Sequence, residues 1–290
     1  MNNIILYASP LFVISVLLEV WLFKKDGAAQ SAAQSAVQPD ASERRWLGYN
    51  GRDSRTSMAM GFGSLFTSFG WELLFLLMAT GLYSLTPLRI PPHAWWCWVL
   101  LLFAEDLSYY WYHRVGHEVR LFWASHVVHH SSQRYNLSTA LRQTWVPLTQ
   151  FPFWLWLPLL GFKPWTILVQ QSVNLLYQFW LHTERIDKLP RWFEYVMNTP
   201  SHHRVHHGTQ PQYLDRNYAG IFILWDRLFR SFEPEGERVV YGLTKNIKTD
   251  NPLRVAFGEY AALFGDVRRA KRFRDKVGHL MHGPAWQPAV

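Results

Sequence analysis

A single cysteine, Cys97, occurs in 290 residues. A disulfide framework needs cysteine pairs, and a thiolate-built zinc site needs several, so neither is open to this chain. Acidic residues are also scarce: 21 Asp and Glu stand against 29 Lys and Arg, a net charge of +8. A surface of that sign suits nucleic acid or an anionic membrane face. Internal repeats are lacking too, which leaves no basis for a solenoid. The mean hydropathy is near zero. That average conceals long apolar runs, and the runs point to the membrane and away from nucleic acid.

The first run, "NIILYASPLFVISVLLEVWLF" (3–23), ends at Lys24 and Lys25. It has no basic start and no small-residue cleavage site, so it reads as a retained spanning helix and not a leader peptide. An Ala/Gln/Ser-rich stretch without periodicity follows over 26–45 and reads as linker. "MAMGFGSLFTSFGWELLFLLMATGLYSL" (58–85) is a second span, broken by "PLRIPPH", and "AWWCWVLLLFAEDLSYYWYH" (94–113) a third. The shorter runs 145–162 and 165–182, divided by Gly161-Phe162-Lys163-Pro164, read as a hairpin entering the bilayer and returning. Residues from about 183 onward are polar enough for a soluble cap. These runs divide the chain into an N-terminal membrane helix (1–25), a linker (26–57), a membrane domain (58–235) and a basic C-terminal region (236–290). Lys24, Lys25, Arg44, Arg45, Arg52 and Arg55 lie between the first two spans and assign that connection to the cytoplasm. Counting onward, residues 114–144 and the end of the last span face the same side.

Ten of the 13 histidines fall between 113 and 207. They form "HRVGH" (His113, His117), "HVVHH" (His126, His129, His130), the lone His182 of "QFWLH", and "HHRVHH" (His202, His203, His206, His207). Spacings of three and four put such residues on one helical face. Imidazole is a common ligand of zinc, iron, copper and nickel, and one tetrahedral zinc needs only four ligands. Nine or ten convergent rings therefore suggest two metals, and iron suits an all-nitrogen shell that keeps positions open for oxygen. Asp106, seven residues before His113, is a candidate to accept a hydrogen bond from a metal-bound ring. His202 lies outside the repeated H-x-x-H-H pattern and is at most auxiliary. His93, His279 and His282 read as ordinary structural histidines. The aromatic runs "YYWYH" and "FPFWLWLP" read as interfacial belt and helix packing.

The order H-x-x-x-H, H-x-x-H-H, lone histidine, H-x-x-H-H over residues 95–235 resembles the fatty acid hydroxylase (sterol desaturase) superfamily. "HVVHHSSQRYNLSTALRQ", "YQFWLHTE", "NTPSHHRVHHG" and "NYAGIFILWDRLFRSF" resemble its ether-lipid-cleaving branch, the alkylglycerol monooxygenases. The first 55 residues carry no such resemblance. The resemblance implies an all-α integral membrane protein, with four to five membrane-inserted helices and a cytoplasmic helical cap holding a histidine-rich dimetal site. It implies His113, His117, His126, His129, His130, His182, His203, His206 and His207 as ligands of a di-iron centre. Other branches often have a further histidine at the position of Gln178. A bacterial inner membrane or the endoplasmic reticulum is the implied location. The implied reaction is O2-dependent hydroxylation of a lipophilic substrate drawn from the bilayer. Its electrons would come from tetrahydrobiopterin or another reductant. A desaturase of the same superfamily, or a non-catalytic membrane metal-binding or transport protein, is the alternative.

Overall fold

The computed structural model describes residues 4–33 and 47–288. Among them there are helices and loops but no strands, only two isolated bridges, Met197 to Phe222 and Gly208 to Tyr241. Helix α1 (Ile4–Ala33) runs beyond the first apolar stretch into the expected linker. The calls on residues 34–46, Arg44 and Arg45 included, lie outside the described residues. Helix α2 (Gly51–Leu85) begins seven residues before the second apolar run. Asn50 explains the early start, because its side chain caps the amides of Arg52 and Asp53. Thr86 ends the helix in extended backbone, as a residue before Pro87 must.

Two helices, over Tyr7–Asp26 and Gly51–Leu85, are long and apolar enough to cross a membrane. Neither is the core helix of a water-soluble fold. Leu11 and Leu17 on α1 are exposed, as are Phe62, Phe66 and Phe69 on α2, with Phe66 70% accessible. Such a continuous apolar exterior suits hydrocarbon. Helix α3 (Trp95–Glu118) is different, burying Leu101, Glu105, Asp106, Tyr110 and His113 inside the protein. Helix α6 (Pro164–Phe179) has 16 residues, about 24 Å, short of the roughly 30 Å of a hydrocarbon core.

The expected first arm of the hairpin, 145–162, is not a continuous helix. It is a 3-10 turn (Pro147–Gln150), the single turn α5 (Phe151–Trp154) and another 3-10 turn (Pro158–Leu160). Pro147, Pro152 and Pro158 lack the amide hydrogens a continuous helix needs. The broken arm closes at Gly161 (φ +95°), where a Cβ would lie 2.8 Å from the backbone of Leu88. Only glycine fits there. The arm still packs, since Phe151, Trp154, Leu157 and Phe162 share one apolar core with Phe75 and Ala79 of α2, Leu101 and Tyr112 of α3, and Ile167 of α6.

Helix α1 is tied to this body. Phe12 stacks on Phe179 with centroids 4.3 Å apart. The buried Glu19 carboxylate accepts from the amide of Leu137 at 2.8 Å and from the hydroxyls of Tyr49 and Thr183. Above the membrane helices lie α4 (Arg120–His130), α7 (Arg191–Val196), α8 (Pro200–His206), α9 (Leu224–Leu228), α10 (Pro252–Arg269) and α11 (Phe273–Met281). Helix α4 packs between α3 and α10, and the Arg120 guanidinium holds it to α10 through Glu259 at 2.9 Å and Asp266 at 2.8 Å.

Candidate metal centre

The end of α3 supplies His113 and His117, α4 supplies His126, His129 and His130, the turn after α6 supplies His182, and α8 with its C-cap supplies His203, His206 and His207. These nine rings divide into two groups. One is His113, His117, His126, His130 and His206; the other is His129, His182, His203 and His207. Within each group the candidate ligand nitrogens all lie within 4.8 Å of one another. Each H-x-x-H-H box is shared between the groups. His126 and His130 go to the first and His129 to the second; His203 and His207 go to the second and His206 to the first. The two groups adjoin, with the rings of His130 and His207 stacked at 4.3 Å.

The nitrogens that converge are Nε2. In the first group, His126 Nε2 lies 3.0 Å from that of His113 and 2.9 Å from that of His130, and His130 to His206 is 3.0 Å. In the second, His182 is 3.1 Å from both His129 and His203, and His203 to His207 is 3.3 Å. Nitrogens about 2.1 Å from a shared ion are roughly 3.0 Å apart at adjacent octahedral corners and roughly 3.4 Å apart at tetrahedral ones. The spacings among His113, His126, His130 and His206 match the shorter of these values.

The opposite ring nitrogens explain why Nε2 is the ligand atom. His113 Nδ1–H donates to Tyr218 O at 2.7 Å, His182 to Gln178 O at 2.9 Å, His206 to Arg216 O at 3.0 Å and His129 to Arg142 O at 3.4 Å. His117 Nδ1 faces the Asp215 carboxylate at 3.4 Å. A proton on Nδ1 leaves Nε2 as a bare lone pair. His129 and His182 therefore point two lone pairs at each other across 3.1 Å, an arrangement that repels unless a cation lies between. His117 Nε2 is buried with no hydrogen-bond partner among the described residues. The donor set thus fits metal ions. Burial first, and crowding by neighbouring rings second, push His126, His129, His130, His203, His206 and His207 well below the ordinary imidazole range. They are neutral at pH 7, the form that binds metal.

Three sequence candidates stand outside the two groups. Asp106 accepts no hydrogen bond from an imidazole among the described residues, so the expected bond to a metal-bound ring is not formed. Its carboxylate accepts instead from the amides of Ile221 (2.7 Å) and Phe222 (3.0 Å), Trp225 Nε1 (2.9 Å) and Asn174 Nδ2 (3.1 Å). It clips the 217–225 loop to α3, and that loop presents Tyr218 O to His113. Gln178 occupies no ligand position. Its side chain donates to Asn174 Oδ1 at 2.7 Å and accepts from the Tyr109 hydroxyl at 2.7 Å, while its main-chain carbonyl orients His182. His202 is buried against Phe232, edge to face at 5.4 Å, in neither group.

Sequence reasoning singled out the stretch from 217 to 232 for its resemblance but gave Tyr218 no role. Asp226 accepts from the amides of Tyr218 and Ala219, both at 2.8 Å, and from Ser231 Oγ at 2.7 Å. Asp215 and Asn217 take left-handed backbone, φ 57° and 56°, which Asn and Asp tolerate. Gly220 is required, since a Cβ there would meet Asn174 Oδ1 at 2.6 Å and Asp106 Oδ1 at 2.8 Å. Buried Arg142, likewise given no role, is held by Asp53 at 3.1 Å and Ser57 Oγ at 3.2 Å. Those bonds fix the carbonyl that His129 uses. The available signal was "NYAG" itself, a turn-forming stretch too short of charge to be plain surface.

Two candidate membrane spans and a cluster of nine imidazoles that could hold metal ions define a histidine-box domain. Residues 98–231 match the fatty acid hydroxylase family, and the chain carries a domain of that family. It is similar to the alkylglycerol monooxygenase of Danio rerio, 44% identical over 208 residues, covering 69% of this chain and 45% of that protein. The Homo sapiens alkylglycerol monooxygenase is 44% identical over 202 residues, again 69% and 45%. The Caenorhabditis elegans one is 34% identical over 250 residues, 82% of this chain and 49% of that protein. The chain spans about half the length of these curated relatives. No solved structure matches it.

Proposed function

We propose that this chain is a di-iron lipid monooxygenase that oxidises the C–H bond next to an ether oxygen. The observation that supports it most is the pair of adjoining all-imidazole groups, one of five histidines and one of four. Iron held there supplies reductive activation of O2. The overall chemistry takes a C–H bond, O2, two electrons and two protons to a C–OH group and water. At a carbon beside an ether oxygen the product is a hemiacetal, which falls apart into an aldehyde and an alcohol. The named activity of the relatives favours this carbon over the other C–H bonds of a lipid.

The chain's own residues carry the rest. Main-chain carbonyls of Arg142, Gln178, Arg216 and Tyr218 fix the tautomer and tilt of four rings. Burial of eight of the nine rings excludes bulk water. Apolar α1 and α2 border the lipid from which substrate arrives. Lys24, Lys25, Arg52 and Arg55 favour a cytoplasmic histidine end, where a soluble reductant such as a reduced pterin would have access.

The test is protein expressed with ample iron, reconstituted in lipid nanodiscs and given 18O2, a reduced pterin and an alkylglycerol. Two irons per chain and one 18O atom in a fatty aldehyde are expected. Label in a stable hydroxylated lipid would move the site of attack elsewhere on the chain. An alkene with label only in water would make the enzyme a desaturase. Two bound metals with no O2 consumption on alkylglycerol, fatty acyl or sterol lipids would refute the oxygenase reading.

A further inference from the structure

The two C-terminal helices carry a second apolar surface that is largely exposed among the described residues. One side of α10 is buried through Val255, Ala256 and Leu263. On another side Leu253, Phe257, Ala261 and Phe264 recur at helical spacing and are exposed. Helix α11 repeats the pattern with Phe273, Val277 and Met281 outward, Phe273 being 80% accessible. The connection between them, "RRAKRFR" (268–274), holds five cations around Phe273. Only Arg269 among these has an ion-pair partner, Asp266, among the described residues.

The height of this surface is fixed by α2. That helix has 35 residues, about 52 Å, against a hydrocarbon core of roughly 30 Å. Its first turns therefore stand at the level of the lipid headgroups. Helix α10 attaches there: Thr56 Oγ1 donates to Asp250 O at 3.0 Å, and Met60 packs with Val255 and Ala256. Trp145, whose Nε1 donates to Met60 O at 2.9 Å, meets Phe257 edge-on at 6.1 Å. The exposed stripe of α10 therefore meets α2 at the level of Met60, through Phe257 and Trp145.

We propose that α10 and α11 form an interfacial arm lying on an anionic membrane surface. Phe257, Phe264 and Phe273 enter the headgroup–acyl boundary, and Arg268, Lys271, Arg272 and Arg274 rest on lipid phosphates. An amphipathic helix with aromatics on one side and cations beside them binds such a surface through both contributions. The stems of the cations can lie along the apolar side while their heads reach the phosphates. The arm has a task. It packs on α4, so it holds His126, His129 and His130 down against the bilayer.

The experiment uses the full chain in nanodiscs, with nitroxide probes at Phe257→Cys, Phe264→Cys and Phe273→Cys, and a Lys245→Cys control. Native Cys97 is buried and does not compete for label. Discs are phosphatidylcholine alone or with phosphatidylserine. Relaxation by O2 over that by an aqueous nickel chelate is expected to be several-fold higher at the three aromatic positions than at Lys245. In phosphatidylserine discs, neutralising Arg268, Lys271, Arg272 and Arg274 to Gln should lower that ratio; in phosphatidylcholine it should not. Metal content checks that each variant is folded. Nickel-dominated relaxation at all three positions would overturn the proposal. So would probe–probe broadening, which would mean that a second copy covers the face. Equal ratios with and without the four cations in phosphatidylserine would also overturn it.

Discussion

Asp106→Asn tests whether this carboxylate braces a loop or serves the metals directly. Each carboxylate oxygen accepts two hydrogen bonds: Oδ1 from Asn174 Nδ2 and the amide of Ile221, Oδ2 from the amide of Phe222 and Trp225 Nε1. Whichever oxygen becomes an NH2 group, two buried donors lose their acceptor and face another donor. Leaving a buried polar group unsatisfied costs about 1–3 kcal/mol, so the pair costs about 2–6 kcal/mol. The loss falls on the loop that presents Tyr218 O to His113. Asp226 holds the same loop from its other side, so the loop loosens without dissolving. Thermal denaturation in nanodiscs should show a Tm lower by on the order of 5–20 °C. Metal analysis should show the first histidine group partly emptied and the second retained. Unchanged Tm with lost activity would refute the brace, and would return Asp106 to a role at the metals. Unchanged Tm and unchanged activity would mean that the four bonds contribute nothing.

His182→Ala and His113→Ala should have complementary effects, each lowering bound metal from about two ions toward one, because the two rings belong to separate groups; loss of both ions from either variant would contradict the division. His202→Ala should keep both metals and measurable activity, with a stability loss from the buried space beside Phe232; loss of metal there with metal retained in His203→Ala would mean that α8 sits in another register. Metal removal by a chelator should lower the Tm and raise proteolysis near residues 199–222, since ligation otherwise offsets the repulsion between facing lone pairs; identical melting of loaded and stripped protein would count against this.

The histidines were legible because their spacing follows the helical repeat, and all nine expected rings do meet. Which ring joins which group was not legible from the boxes alone. On α4, residues four apart differ in direction by about 40°, whereas neighbours differ by about 100°. His126 and His130 therefore aim together while His129 aims aside, and the boxes were too symmetric in sequence to show it. The hydrogen-bond partners of Asp106 were not legible because its position on the His113 stripe says nothing about the loop from residues 217–225 that comes to cover it. That contact joins residues more than a hundred apart in sequence. The broken arm at 145–162 was hidden by composition, since apolar content overrode the three prolines that decide its backbone. The starts of α1 and α2 were visible in outline, but the Asn50 cap was not weighed.

The partners of Nδ1 on His113, His129, His182 and His206 are main-chain oxygens. A carbonyl is supplied by every amino acid, so positions 178, 216 and 218 can change identity over evolutionary time without removing the acceptor that aims each imidazole, whereas at 142 the side chain also anchors the carbonyl through Asp53 and Ser57. Selection at those three positions then acts on the path of the chain more than on the lettering. A distant descendant could keep the same geometry while sharing little with this protein except its histidines and the residues that bend the backbone around them.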